Sequence, residues 1–325
     1  MNTCRTLIGC WFVASLSSCA GEGELGPTAL TVRELAARAP LSVPRPSYLQ
    51  AALLVPPMQT AATLPTQTVV ATVSTNHVGA KSTQTHDGVQ SWFAGVFHEW
   101  LAVDLHYGAA PGLELSARSA LSGWDESQDH FSLFDDNGNY IVRDESRLAR
   151  NMASQRHDNV ARLDLGAKVL LFGGDLAQTA AGVAVKLPIA RAGDLTSGGT
   201  YDFAGTLLES VQLGDFTLHA NVGGVVPTGT QTLFDESADI DINPFVQGAA
   251  GVTWRAGENW SLILQAEGNT SAFRDVPFLH RGPITFVGGA RRSIGSSFVE
   301  LSGGRGSDGS SSDWWEAFVG FGLQL

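Results

Sequence analysis

Cysteine is absent after residue 19: Cys4, Cys10 and Cys19 are the only three in the chain. A mature protein cleaved behind them holds no disulfide and no cysteine-bound metal. Charge is scarce too. Asp, Glu, Lys and Arg make up 16% of the 325 residues, against about a quarter in ordinary soluble domains. Beyond the N-terminus no apolar run approaches the ~18 residues of a membrane-spanning helix. Histidines and acids nowhere take metal-ligand spacing, so neither a metal nor another cofactor is expected. The formal net charge of −12, spread without long runs of one sign, argues against nucleic acid or an anionic membrane surface as the main partner.

Glycine, by contrast, is abundant, at 37 residues. A membrane protein of this composition must cross as strands. Outside helices, only a closed barrel satisfies backbone polar groups in hydrocarbon.

The first twenty residues read as an export signal. Arg5 supplies the positive start, and the apolar stretch 7–16 has the length of a signal core. Leu16-Ser17-Ser18-Cys19 resembles a bacterial lipobox, which makes Cys19 the candidate lipidation site. Ser18-Cys19-Ala20 also fits an ordinary cleavage site.

Residues 21–65 differ in kind. They hold Pro27, Pro40, Pro44, Pro46, Pro56, Pro57 and Pro65, each of which removes a backbone donor. Thr31 followed by Glu34 forms a capping-box pattern ahead of a short helix over 31–39. The rest reads as a periplasmic tether or extension, with a plug inside the barrel as the less favoured alternative.

From residue 66 onward the period is two. Phe216, Leu218, Ala220, Val222 and Val226 alternate with Thr217, His219 and Asn221. Trp260, Leu262, Leu264 and Ala266 alternate with Ser261, Ile263, Gln265 and Glu267. Ala161, Leu163, Leu165, Ala167, Val169 and Leu171 alternate with Arg162, Asp164, Gly166 and Lys168. Such runs suit transmembrane strands of about ten residues with one face to lipid and one to the lumen. The expected fold is all-β, an antiparallel transmembrane barrel of about twelve strands. The expected spans are 66–76, 92–106, 113–122, 161–172, 177–188, 201–212, 216–226, 244–255, 260–271, 283–292, 297–304 and 313–325. Short turns alternate with long loops at 77–90, 123–160, 189–200, 227–243, 272–282 and 305–312. Short inner turns and long outer loops characterise outer-membrane barrels, and an ordinary sandwich has no reason for the alternation. Trp254 and Trp260 at one end, with Trp314 and Trp315 at the other, suit interfacial girdles.

Ala317, Val319, Phe321, Leu323 and Leu325 run in apolar alternation to the last residue. This resembles the C-terminal signature of bacterial outer-membrane proteins. The resemblance implies the barrel assembly machinery as a partner and makes Phe321, Leu323 and Leu325 the assembly signal, although the usual terminal residue is aromatic. Phe97-His98-Glu99, Tyr107-Gly108, Leu113-Glu114-Leu115, Gly123-Trp124-Asp125 and His130-Phe131 also resemble the uncharacterised domain-of-unknown-function 3187 family, over about residues 91–147. That resemblance implies a barrel-like fold and no assigned activity.

No catalytic residue stands out. The Gly-x-Ser-x-Gly elbow is missing, and His98, His106 and His219 fall on the lumen set while Ser119 faces outward. A lipid hydrolase is therefore the third reading. Asp135-Asp136-Asn137-Gly138-Asn139 starts like a calcium loop but lacks its closing Glu and reads as a polar turn. Trp124, Phe131, Leu133 and Phe134 suggest a short amphipathic helix within loop 123–160.

The lumen set carries both signs: Asp104, Glu114, Arg118, Arg162, Asp164, Lys168, Lys186, Glu267, Arg291, Glu300 and Glu316. These charges either line a narrow passive channel for ions or small solutes or pair across the lumen and seal it. The channel is the first expectation and the sealed structural or binding barrel the alternative. Glu99 and Glu209 share parity with lipid-facing residues, which suggests a bulge, a place beyond the hydrocarbon, or a site opening sideways. Outer-membrane lipid is the surrounding partner in every reading.

Overall fold

The computed structural model describes residues 31–41, 53–86, 89–126, 159–189, 200–228, 230–232, 239–272, 282–307 and 312–325. The strands are β1 (Val69–His86), β2 (Val89–Ala110), β3 (Leu113–Glu126), β4 (Asn159–Gly173), β5 (Ala177–Leu187), β6 (Asp202–Leu213), β7 (Phe216–Pro227), β8 (Thr230–Thr232), β9 (Asp239–Asp241), β10 (Phe245–Arg255), β11 (Trp260–Asn269), β12 (Ile284–Ile294), β13 (Ser297–Ser307) and β14 (Ser312–Gln324). Twelve of them form one closed antiparallel barrel. Each pairs with the next in sequence, β7 pairs with β10 across the small β8–β9 hairpin, and β14 pairs with β1 to close the ring. Because the strand number is even, both chain ends of the barrel lie at one rim, where the Leu325 amide donates to the Val69 carbonyl at 3.0 Å.

The alternation in the sequence becomes the two faces of the wall. Along β7 the odd–even pattern of exposure is nearly unbroken, with Phe216, Leu218 and Val222 outward and Thr217, His219 and Asn221 inward and buried. β11 repeats it, with Trp260, Leu262 and Leu264 outward. A strand of eleven residues, tilted as in such barrels, rises about 28 Å, enough for the ~25 Å apolar band. Three turns at the rim that holds the chain ends are two residues long: 111–112, 214–215 and 295–296. Gly214 and Gly295 open the last two with φ of 64° and 60°, and Gly112 closes the first with φ of 73°, a backbone region that glycine enters without strain.

The structure corrects the sequence reading in several places. Residues 77–86 are strand, not loop: β1 and β2 continue as a ladder to the His86↔Val89 pair. A strand of 18 residues rises about 46 Å at the same tilt, so this hairpin stands well beyond the apolar band. Lipid no longer demands alternation there, which is why the period fades in the sequence while pairing continues. The 227–243 connection contains the β8–β9 hairpin. Trp124 lies on β3 rather than on a helix, while Phe131, Leu133, Phe134 and the 135–139 turn fall outside the described residues. A register shift between Leu170 and Phe172 turns Phe172 outward, 73% exposed, in place of Leu171.

Trp314 is not a girdle residue. Adjacent strand residues face opposite ways, so Trp315 lies outward, with its indole over Gly79 and 5.5 Å from the His77 ring, while Trp314 is buried inside. At the opposite rim Trp254 stacks on Phe216 at 5.9 Å and Arg292 lies over Trp260 at 5.5 Å. Both tryptophans there face outward, as interfacial aromatics do.

Candidate functional site in the lumen

Spaced at ~4.8 Å and tilted by about 40°, twelve strands enclose a backbone cylinder of about 24 Å diameter. Inward side chains reduce that bore to roughly 14 Å, too wide for them to fill alone. The chain ahead of β1 supplies the filling. Where it is described it is no free tether: residues 31–41 and 53–65 bond to inward side chains of β3, β4, β6, β7, β10, β11 and β12. Contacts with wall strands on opposite sides of the ring place it inside the lumen.

The segment comprises two legs. The first starts with helix α1 (Val32–Arg38), where the expected capping box forms between Thr31 and Glu34. The backbone N–H and hydroxyl of Thr31 hold the Glu34 carboxyl below the usual carboxylate range. Pro40 follows the C-cap Ala39 and stops the helix. Arg33 donates to Asn259 Oδ1 at 2.6 Å in the β10–β11 turn, so α1 sits at the rim with the short turns. Leu41 reaches mid-barrel, where its N–H donates to Gln265 Oε1 at 3.0 Å and its side chain packs with Ile263, Val287 and Phe318. The second leg starts near the opposite rim, where the Leu54 N–H donates to Asp202 Oδ2 at 2.7 Å. It descends past Ser210, which accepts from the Ala61 N–H at 2.9 Å, and Glu114, which accepts from the Leu64 N–H at 3.0 Å. It then enters β1 through the Gln67 N–H to Gly108 carbonyl bond at 2.7 Å. Leu41, Leu53, Leu54, Val55, Met58 and Ala61 are all buried.

The wall charges sit in cross-strand pairs. Lys168 and Glu114 are register partners, with Nζ 3.1 Å from Oε2, and His106 Nδ1 lies 2.9 Å from the other Glu114 oxygen. Lys186 Nζ lies 2.8 Å from Asp202 Oδ2, also in register and with neither side chain exposed. Arg118 pairs with its partner Asp104 across β2–β3, and Arg291 with Glu300 across β12–β13. Asp164, Glu267 and Glu316 are likewise inward and buried. Arg162 shares the parity of Asp164 on β4, but its side chain, like all of Cys19, lies outside the described residues.

Arg291 does more than pair. Its guanidinium donates to the carbonyls of Ala36, Ala39 (2.9 Å) and Pro40 (2.8 Å), which lack partners in the helix. A cation at a helix C-terminus is also favoured by the helix dipole. Ser261 donates to the Ala37 carbonyl at 2.7 Å, and His219 Nε2 lies 2.7 Å from the Arg38 carbonyl.

Asp202, Ser210 and Thr253 were not singled out from sequence, and Ser261 and Gln265 were placed on the inward face without a role. Only Asp202 carried a usable signal, as a charge opposite Lys186, and the long connection before β6 hid the register. On the outer face, Glu209 accepts from Thr179 Oγ1 at 2.6 Å in unbroken β5–β6 and β6–β7 ladders. No bulge turns it inward. It lies four residues before the rim. The Glu99 side chain is outside the described residues. Among the described residues no three His, Cys, Asp or Glu side chains gather as metal ligands. Beside the legs, a cavity of about 390 Å³ opens at the short-turn rim against β5, β6 and β7, lined by Arg38, Gln178, Ser210 and Gln212.

No protein-family model matches the sequence and no curated protein matches it, so the resemblance to the uncharacterised family finds no support there. The barrel is similar to the COG4313 outer membrane channel from Pseudomonas putida F1, with 11% identity over 81% of this chain and 97% of that one, at a TM-score of 0.62. The NanC porin aligns at 11% identity over 77% of this chain and 100% of its own, with a TM-score of 0.47. The KdgM porin aligns at 6% identity over 77% and 98%, with a TM-score of 0.43. The likeness to the first of these is one of fold, a closed β-barrel of the outer-membrane type.

Proposed function

We propose that this protein is a narrow outer-membrane channel for ions or small solutes, closed by its own N-terminal segment in the state described here. One observation carries the reading. The wall behind the first leg is polar (Thr253, Ser261, Gln265, His219), and its partners there are backbone groups of a segment joined to the barrel at one end only. Water can replace a peptide carbonyl or N–H at each of those groups at little net cost. A lumen built to stay solid needs no such lining. In this reading the short-turn rim faces the periplasm, residues 1–20 direct export, and the terminal strand is read by the assembly machinery. The solutes are small, since even an emptied bore of about 14 Å is still narrowed by the second leg.

A permanently sealed barrel is the second reading, favoured by the Lys186–Asp202 and Arg118–Asp104 pairs. Planar-bilayer recording on the full chain separates the two. A channel shows discrete openings whose frequency rises under conditions that loosen the first leg. A sealed barrel stays silent until it unfolds.

A further inference from the structure

The two legs are held in different ways. The second leg is stitched into the barrel: Leu54, Ala61 and Leu64 donate backbone N–H groups to Asp202, Ser210 and Glu114, and the chain then continues directly into β1. The first leg has no such continuation. It is bound mainly through its carbonyl groups, and one side chain, Arg291, takes three of them. Glu300 fixes that guanidinium from behind, with Nε to Oε2 at 2.8 Å. Bonds from a charged donor are the stronger class; Arg33 and Arg38 of the leg reach Asn259 and Gln212 near the rim, and Arg291 is the wall's own charged grip deeper in the lumen.

The exit is also unequal. Arg33 already touches the β10–β11 turn at the short-turn rim, and Thr31 ahead of it is exposed. The cavity lined by Leu35, Arg38, Thr60 and Ala62 lies between the two legs and the β5–β7 wall, so on that side the first leg meets the wall through the Arg38 bond to Gln212.

We infer that the segment works as two parts: the first leg (residues 31–41) is a removable stopper latched by Arg291, and the second leg (residues 53–65) is a fixed part of the wall. The inference rests on the channel reading but has its own readout. Release is a change in population, and losing the latch shifts the seated-to-released ratio by the free energy that the latch supplies.

The test uses the full chain with one cysteine added, at Ala37 in the first leg or Ala62 in the second. Both are buried, at 8% and 6% exposure. A chain without the added cysteine controls for the native thiols before residue 20. With the latch intact, a bulky maleimide labels both sites slowly. With Arg291→Met and Glu300→Gln together, so that no lone charge is left buried, Ala37→Cys labels at least ~30-fold faster, equivalent to about 2 kcal/mol. Ala62→Cys stays within roughly three-fold of its starting rate. An equal rise at both sites overturns the two-part inference, and so does no rise at Ala37→Cys. If the latch variant yields no heat-modifiable barrel, Ser261→Ala with Gln265→Met removes two uncharged contacts to the same leg. It must then give the same site pattern at a smaller rise, roughly five-fold. Conductance is recorded on the same samples. Faster labelling at Ala37→Cys without more openings leaves the stopper releasable and overturns the channel reading alone.

Discussion

Replacing Lys186 by Met tests whether the lumen is as dry as its packing indicates. Lys186 and Asp202 are fully buried, 2.8 Å apart, and face each other across the β5–β6 ladder. Met keeps most of the side-chain volume and removes the charge, which strands Asp202 among low-dielectric neighbours. Breaking a buried pair from one side costs about 3–5 kcal/mol. Asp202 also accepts from the Leu54 N–H and from Thr200 Oγ1. A second substitution, Asp202→Val, removes the stranded charge but orphans the Leu54 N–H, leaving a deficit of about 1–3 kcal/mol. The ordering is therefore wild type above the double variant, and the double variant above Lys186→Met alone. Urea titration of refolded protein, read from the fraction that keeps its unboiled gel mobility, gives the three stabilities. A Lys186→Met protein as stable as wild type would refute the reasoning, because it would mean that water reaches Asp202 and the lumen is wet at that level. A double variant weaker than the single one would refute it differently, by assigning the stability to the hydrogen bonds of Asp202 rather than to the charge pair.

Two further outcomes follow from the same geometry. A Cβ at Gly108 would fall inside the van der Waals boundary of the Pro65 carbonyl oxygen, so Gly108→Ala costs about 1–3 kcal/mol in the same urea assay and loosens the base of the second leg. Glu34, held below the ordinary carboxylate range by Thr31, stabilises the seated α1 above its unfolded-state pKa. That contribution is lost as pH falls through the lowered value. Measured relative to an exposed cysteine on the same barrel, which corrects for the falling thiolate fraction, labelling at Ala37→Cys should therefore gain on acidification below the ordinary glutamate range, and Glu34→Ala should flatten that part of the profile.

The barrel was legible in the sequence because lipid enforces alternation. Wherever one face of a strand must be apolar, as along Phe216–Pro227 and Trp260–Asn269, the period-two signal is strong enough to place both ends within a residue or two. The β1–β2 hairpin was misread for the converse reason: outside the hydrocarbon nothing forces alternation, and a paired strand looks like a polar loop. Trp314 was misassigned because two adjacent tryptophans were counted together, although the pleat must send them to opposite faces. The filling of the lumen was hidden more deeply. The inward charges suit the lining of an open channel, and the prolines of residues 21–65 suit a chain outside the barrel. Proline removes donors whether a segment lies in water or in a lumen, so composition could not distinguish the two. The distinguishing feature, a row of inward hydroxyl, amide and imidazole groups on β6, β7, β10 and β11 at the height of the legs, appears only once the strands are laid side by side.

The same row bears on why a barrel of this size carries a separate filling at all. Eight strands close tightly enough for their own side chains to fill the interior, while sixteen or more leave a channel. Twelve leave a bore that a helix of about 10 Å and one extended strand can occupy together, and that is what the two legs provide. Where the filling is to stay, its backbone N–H groups are held by acids that are themselves paired, as Glu114 is by Lys168 and Asp202 by Lys186. Removing that leg would take a hydrogen bond from each of these buried acids, although each acid keeps its lysine. Where the filling is to leave, the wall offers mostly neutral groups that water serves equally well, and a single guanidinium that keeps Glu300 as a partner after release. The apolar cost of release comes from Leu41, packed on Ile263, Val287 and Phe318, and from Leu35 and Ala37, which are also buried. Full burial of one leucine contributes about 1.5–3 kcal/mol, so the two leucines weight the equilibrium toward the seated leg and the latch adds to that weight.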